Sequence, residues 1–140
     1  MGFFEAVETC LKKYAVFQGR ARRSEYWWFG LFQLIIYIGF TLFTLPDEMQ
    51  RMASFKATGV MPPQGAAHMI LGLVFDLIIL ALVLPNIGVL VRRLHDVNRS
   101  GWWYFFCLVP LVGPIMLLIW FCTRGTRGTN RFGPDPIREF

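Results

Sequence analysis

Charge is scarce in this chain. Asp, Glu, Lys and Arg together make up only 16% of it, against about 25% in a soluble domain. With 55% apolar residues, that shortage excludes a disordered tail and disfavours a soluble globular enzyme. Cysteine is scarce too. Cys10, Cys107 and Cys122 form no C-x-x-C pair, which argues against a disulfide framework or a zinc site and leaves small buried or interfacial thiols. Catalytic signatures are missing: there is no H-E-x-x-H, G-x-S-x-G or G-x-G-x-x-G. The stretch Gly125–Arg131 has spaced glycines but lacks the Gly-Lys-Ser/Thr of a phosphate loop. No metal, no cofactor and no enzymatic activity are therefore expected. A cleaved leader is not expected, because the first long apolar run starts only near Tyr26, after a long polar segment. Met1-Gly2 opens like a myristoylation signal, but Ala6 stands where Ser or Thr is required.

What is abundant is apolar and aromatic. Fourteen Phe, five Trp and four Tyr occur in 140 residues, with a mean hydropathy of +0.47. A small soluble core buries too little surface to hide them. The pattern points to a single all-α integral membrane domain. An amphipathic helix is expected over 3–17, from Phe3, Phe4, Val7, Cys10, Leu11, Tyr14 and Phe17. It lies either in the membrane interface or against the protein's own bundle. Apolar segments follow at 26–45, 69–91 and 102–122, with a polar tail at 123–140. The first two are long enough to span, at 1.5 Å per residue and about 20 residues. Ser24 is a candidate N-cap for the first, and Pro46-Asp47 is expected to end it. Pro85 is expected to kink the second. Pro110 and Gly113-Pro114 break the third, which is either a proline-broken span or a re-entrant segment. All five Trp lie at segment ends, where aromatic belts sit.

The net charge of +5 flanks the apolar runs instead of forming a stripe, so membrane lipid is the expected partner and nucleic acid is not. Five Lys/Arg precede residue 26, two lie in 46–68, three in 92–101 and four in the tail. This places the N-terminus and the 92–101 connector in the cytoplasm. A third full crossing puts the tail outside, and a re-entrant hairpin puts it inside. Charge favours the hairpin and segment length favours the crossing. We expect a cytoplasmic tail.

Several separated motifs occur in order: Phe17-x-Gly-Arg-Ala-Arg-Arg-Ser-Glu-Tyr-Trp27, Arg92-Arg-Leu-His-Asp96, Arg99-Ser-Gly-Trp-Trp103, Pro110-Leu-Val-Gly113 and Asn130-Arg-Phe-Gly-Pro-Asp-Pro136. Over roughly 8–136 the chain resembles the bacterial inner-membrane family catalogued as domain of unknown function 805, the YhaH/YhaI-like proteins. The resemblance implies a small polytopic protein of the bacterial cytoplasmic membrane and implies no activity. The one departure is a longer 46–68 loop.

Four constellations are candidates. Arg20, Arg22, Arg23, Arg92, Arg93, Arg99 and Arg131, with Trp102 and Asn130, suggest a cytoplasmic face for an anionic lipid head group or a partner protein, since the guanidinium fork suits phosphate. In the alternative, these arginines set orientation and pair with Glu25, Asp96 and Asp135. His95 beside Asp96 titrates near neutral pH but lacks a nucleophile motif. Asp76 is a carboxylate inside the second span, and so a functional candidate. It supports the alternative of a small oligomeric channel or transporter. Gln33 and Asn86, at similar depths, form a candidate packing pair. Thin helices enclose polar groups poorly, so a homo-oligomer or a partner membrane protein is expected.

Overall fold

Both long apolar runs fold as single helices. The computed structural model describes residues 1–137. In order they form α1 (Phe3–Lys12), α2 (Arg23–Thr58), α3 (Ala66–Asp96), a 3₁₀ helix (Gly101–Leu108) and α4 (Val112–Cys122). Among the described residues the only β pairing is an isolated bridge between Asn130 and Gly133. α2 has 36 residues and α3 has 31, and both are long and apolar enough to cross a membrane.

α2 does not stop at Pro46. It continues to Thr58. A mid-helix proline removes one N–H and crowds the preceding turn. Here the following residues, Glu48 to Lys56, are mostly good helix formers, and Arg51 pairs with Glu48 at 3.0 Å within the same helix. The loop is thereby cut to residues 59–65, beginning at Gly59 with φ +71°. At the other end α2 starts at Arg23, so Ser24 lies inside the first turn and does not cap it. Just before it, the Ala21 N–H donates to the Arg92 carbonyl at 3.0 Å and ties the entering chain to α3.

The contacts divide the chain into two units, Met1–Leu31 with Val83–Phe140, and Phe32–Leu82. In the second unit Phe40 stacks on Phe75 at 3.9 Å with the rings 10° from parallel, and Tyr37 flanks Phe75.

The first unit holds the core. Leu90 and Leu94 of α3 meet Leu117 and Phe121 of α4, with Tyr26, Val91, Cys107 and Trp120 around them. α1 buries Ala6 and Cys10 and sets Phe3 edge-on against Trp28 at 5.9 Å. It ends at Lys12, not at 17. Beyond it the carbonyls of Lys13, Tyr14 and Val16 pass over Gly88, where a Cβ would lie 3.3 Å from the Val16 oxygen. The missing side chain of Gly88 gives that stretch room for the close approach.

The third apolar segment doubles back. Gly101 abuts Val91 at the start of the 3₁₀ helix, while Trp120, near the end of α4, lies edge-on to Trp103 at 5.5 Å. The reversal is at Pro110–Val112, where the Val112 N–H donates to the Pro110 carbonyl at 2.8 Å across Leu111 with φ +66° and ψ −56°. That is a three-residue γ-turn of the rare, positive-φ kind. Pro114 falls in the first turn of α4, where a missing N–H costs nothing. α4 has 11 residues, or about 16 Å of helix, roughly half the hydrocarbon core of a bilayer.

Candidate functional site

A short helix leaves its last carbonyls without partners within the helix. α4 ends in a run of arginine donors. Arg93 Nη2 donates to the carbonyls of Trp120 at 3.1 Å, of Phe121 at 3.2 Å and of Thr123, and its Nε reaches Phe121 again at 3.3 Å. Arg23 Nη1 donates to the Cys122 carbonyl at 3.1 Å. The remaining face of Arg93 pairs with Asp96 Oδ2 at 2.6 Å. The planar five-donor fork of arginine makes this capping possible.

Asp96 is shared. Its Oδ1 accepts from Arg20 Nε at 2.9 Å, and all three side chains are buried. Arg20 then gathers the tail: Nη1 donates to the Gly128 carbonyl at 2.6 Å and Nη2 to that of Thr126. The Thr126 N–H returns to the Asp96 carbonyl at 2.8 Å. Gly125 is required here, because a Cβ at that position would overlap the Asp96 carboxylate. Two buried guanidiniums around one carboxylate persist only because nearly every donor finds a carbonyl.

The other tail contacts follow the same rule. Arg22 Nε donates to the Pro136 carbonyl at 2.6 Å, Arg131 Nη2 to that of Asn98 at 3.1 Å and Asn130 Nδ2 to that of His95 at 2.9 Å. Asp135 accepts from the backbone N–H groups of Ile137 at 2.9 Å and Gly128 at 3.0 Å, with Arg20 at 3.9 Å. These contacts, led by the Ile137 N–H, hold its carboxyl below the usual range.

A second buried pair lies close by. Arg92 Nη1 is 2.9 Å from Glu25 Oε1, and Arg92 Nε donates to the Gly88 carbonyl at 3.2 Å. Arg92 Nη2 is buried without a hydrogen-bond partner. The Cys10 thiol faces Glu25 at 3.9 Å. Burial, reinforced by the Glu25 charge, pushes that thiol up to about 12.

The arginines singled out from the sequence thus divide. Arg20, Arg92 and Arg93 are buried on Asp96, Asp135 and Glu25, the partners the sequence offers. Arg23 and Arg131 keep exposed surface. Arg99 lies over two indoles, 5.0 Å from the Trp103 ring and 4.9 Å from that of Trp120. Trp102 is 79% exposed. His95 and Asp96 turn to different partners. His95 Nδ1 lies 3.1 Å from the Gly19 carbonyl and its ring stacks on Phe132 at 3.9 Å.

Asp76 is exposed on α3 and lines a cavity of about 400 Å³ with His68, Gly72, Gln64 and Phe40. Sequence reading missed the acidic group around His68. His68 Nδ1 lies 2.9 Å from Asp47 Oδ2, and Nε2 lies 3.4 Å from Glu48 Oε1, which also takes Arg51 and Gln64. The signal was hidden because Asp47 and Glu48 read as the start of a loop. One ligand atom from each of Asp47, Glu48 and His68 falls within 4.8 Å of the others. Gln33 belongs to the unit 32–82, and Asn86 to the other.

Long apolar helices and a hairpin tied down by arginines define an all-helical membrane protein. The chain belongs to the family described as protein of unknown function DUF805, whose pattern it matches over residues 14–134. It is 38% identical over 132 residues to the inner membrane protein YhaI of Escherichia coli strain K12, covering 91% of this chain and 92% of that protein. It is 37% identical over 129 residues to the inner membrane protein YhaH of the same strain, covering 92% and 93%. No solved structure matches it.

Proposed function

We propose that this chain is a non-enzymatic, two-span protein of the bacterial cytoplasmic membrane that engages anionic lipid or a partner membrane protein through its cytoplasmic face. α2 and α3 cross, the 3₁₀–α4 hairpin is re-entrant, and the N-terminus and tail share the cytoplasmic side. The supporting observation is Arg20, whose guanidinium joins residues 126–128 of the tail to Asp96. A tail held on residues 20, 22, 95 and 98 lies on their side of the bilayer. Twelve of the fourteen Lys/Arg are then cytoplasmic, as the positive-inside rule requires. The buried arginines hold the fold, so the contact surface is carried by exposed Lys12, Lys13, Arg23, Arg127 and Arg131, beside Trp27, Trp28 and Trp102.

Two measurements test this. A cysteine at Thr129, in a background without Cys10, Cys107 and Cys122, should be protected from a membrane-impermeant maleimide in intact cells. Labelling there would put the tail outside. Native mass spectrometry after gentle extraction should show retained phosphatidylglycerol that is reduced by Arg127→Ala with Arg131→Ala. No retained lipid and no co-purifying membrane protein would remove the reading.

The cavity around Asp76 favours a second reading, a subunit of an oligomeric channel or transporter. Asp76 has no ion-pair partner among the described residues, and His68 and Gly72 share its helix face, two turns and one turn away. Unchanged ion flux and assembly in Asp76→Asn would dismiss it.

A further inference from the structure

Between the last turns of α3 and the 3₁₀ helix lies a groove of about 660 Å³, within the range of small-molecule sites. Its walls are apolar and aromatic: Ile87 and Leu90 on one side, Trp102, Tyr104 and Phe105 on the other. Trp102 and Phe105 stack at 5.7 Å. The groove lies outside the arginine cluster, and no Lys, Arg, Asp or Glu lines it.

Four polar residues nevertheless line it, Gln18 and Asn86 exposed and His95 and Ser100 half-buried. Among the described residues, the side chains of Gln18, Asn86 and Ser100 have no hydrogen-bond partner. Ser100 precedes the 3₁₀ helix without capping it. His95 faces the Gly19 carbonyl through Nδ1, so that nitrogen carries the proton and Nε2 is left as an acceptor. A groove with unused amide and hydroxyl groups that can donate or accept, an unused imidazole acceptor, aromatic walls and no charge suits a flat, uncharged head group with several polar atoms and an apolar body.

We propose that this groove binds a membrane quinone. The two ring carbonyls match the amide and hydroxyl donors of Asn86, Gln18 and Ser100, and in the reduced form a ring hydroxyl can donate to His95 Nε2. The ring lies against the aromatic wall and the isoprenoid chain follows Ile87 and Leu90 into lipid. An anionic phospholipid head group has no cation to meet here, and a plain acyl chain leaves the four polar groups unused. The site uses none of the arginines of the proposed lipid-contact face and shares only Trp102 with it.

The test uses the full chain in detergent micelles, titrated with a one-isoprene ubiquinone and read by quenching of tryptophan fluorescence. Quenching should saturate near one quinone per chain and resist an equal concentration of dioleoylphosphatidylglycerol or dioleoylglycerol. Asn86→Leu with Ser100→Ala should weaken it about tenfold, the loss of two neutral hydrogen bonds. Ile87→Phe, which narrows the groove, should weaken it independently. Both are read only on protein that elutes and melts as wild type, and if one fails to fold the other decides. Quenching that never saturates, that is unchanged in the folded variant, or that dioleoylglycerol displaces overturns the proposal.

Discussion

Arg20 Nε sits 2.9 Å from Asp96 Oδ1, across 76 positions of sequence. That contact makes Asp96 the counter-charge for two buried guanidiniums, since Arg93 holds its other oxygen. Removing one member of a buried ion network leaves charge uncompensated, at about 3–5 kcal/mol. Asp96→Ala should therefore sharply lower the melting temperature in micelles and the yield of monodisperse protein. Gly125→Ala should act in the same direction with every charge intact, because its Cβ needs the space of the Asp96 carboxylate. A wild-type melting curve for both would mean that the cluster does not hold the fold.

Arg93 separates charge from geometry. Lysine could still pair with Asp96, but it lacks the fork that also reaches the carbonyls of Trp120, Phe121 and Thr123. Arg93→Lys should recover little of what Arg93→Ala loses. The shared loss is about 2 kcal/mol or more, since buried carbonyls go unpaired. Thermal melts of the two variants side by side provide the check, and a lysine variant close to wild type would make the role purely electrostatic.

The arginine face shows what sequence can and cannot supply. The residue types, their clustering and the acids available to them were legible, and so was the break at Pro110–Gly113. Sequence could not say which arginines stay exposed, because that depends on carbonyls of residues 120–128 whose position follows only from the hairpin. Asp47, Glu48 and His68 were missed for a related reason. Pro46 reads as a stop, while the long helical stretch after it carries α2 through. Four Å contacts between residues about twenty positions apart have no periodic signature.

Cys10 gives a pH dependence with a definite sign. Its thiol is raised to about 12 in the folded chain, while an exposed thiol ionises near about 8.5. Between these values the unfolded chain loses its proton first, so unfolding is favoured and stability falls as pH rises. Melting temperatures measured from pH 7 to pH 10 should decline in wild type and decline less in Cys10→Ala. In native micelles at pH 8 the Cys10 thiol should resist maleimide, and it should react once the protein is unfolded in dodecyl sulfate. Equal pH slopes for the two proteins would show that Cys10 ionises as freely in the fold as outside it.

Leu111 turns the hairpin in a conformation that its own side chain opposes. At φ +66° and ψ −56°, a non-glycine residue carries strain of about 1–3 kcal/mol, and Leu111 is 80% exposed, so little packing offsets it. The turn survives because the Val112 N–H reaches the Pro110 carbonyl and because Arg93 and Arg23 fix the far end of α4. Glycine would remove the strain at an entropic cost of about 0.5–1 kcal/mol. The net expectation for Leu111→Gly is a gain of about 1 kcal/mol, visible as a higher melting temperature. A destabilised Leu111→Gly would mean that the exposed leucine makes a stabilising contact at the tip of the hairpin, and that the hairpin is anchored there as well as at its arginine base.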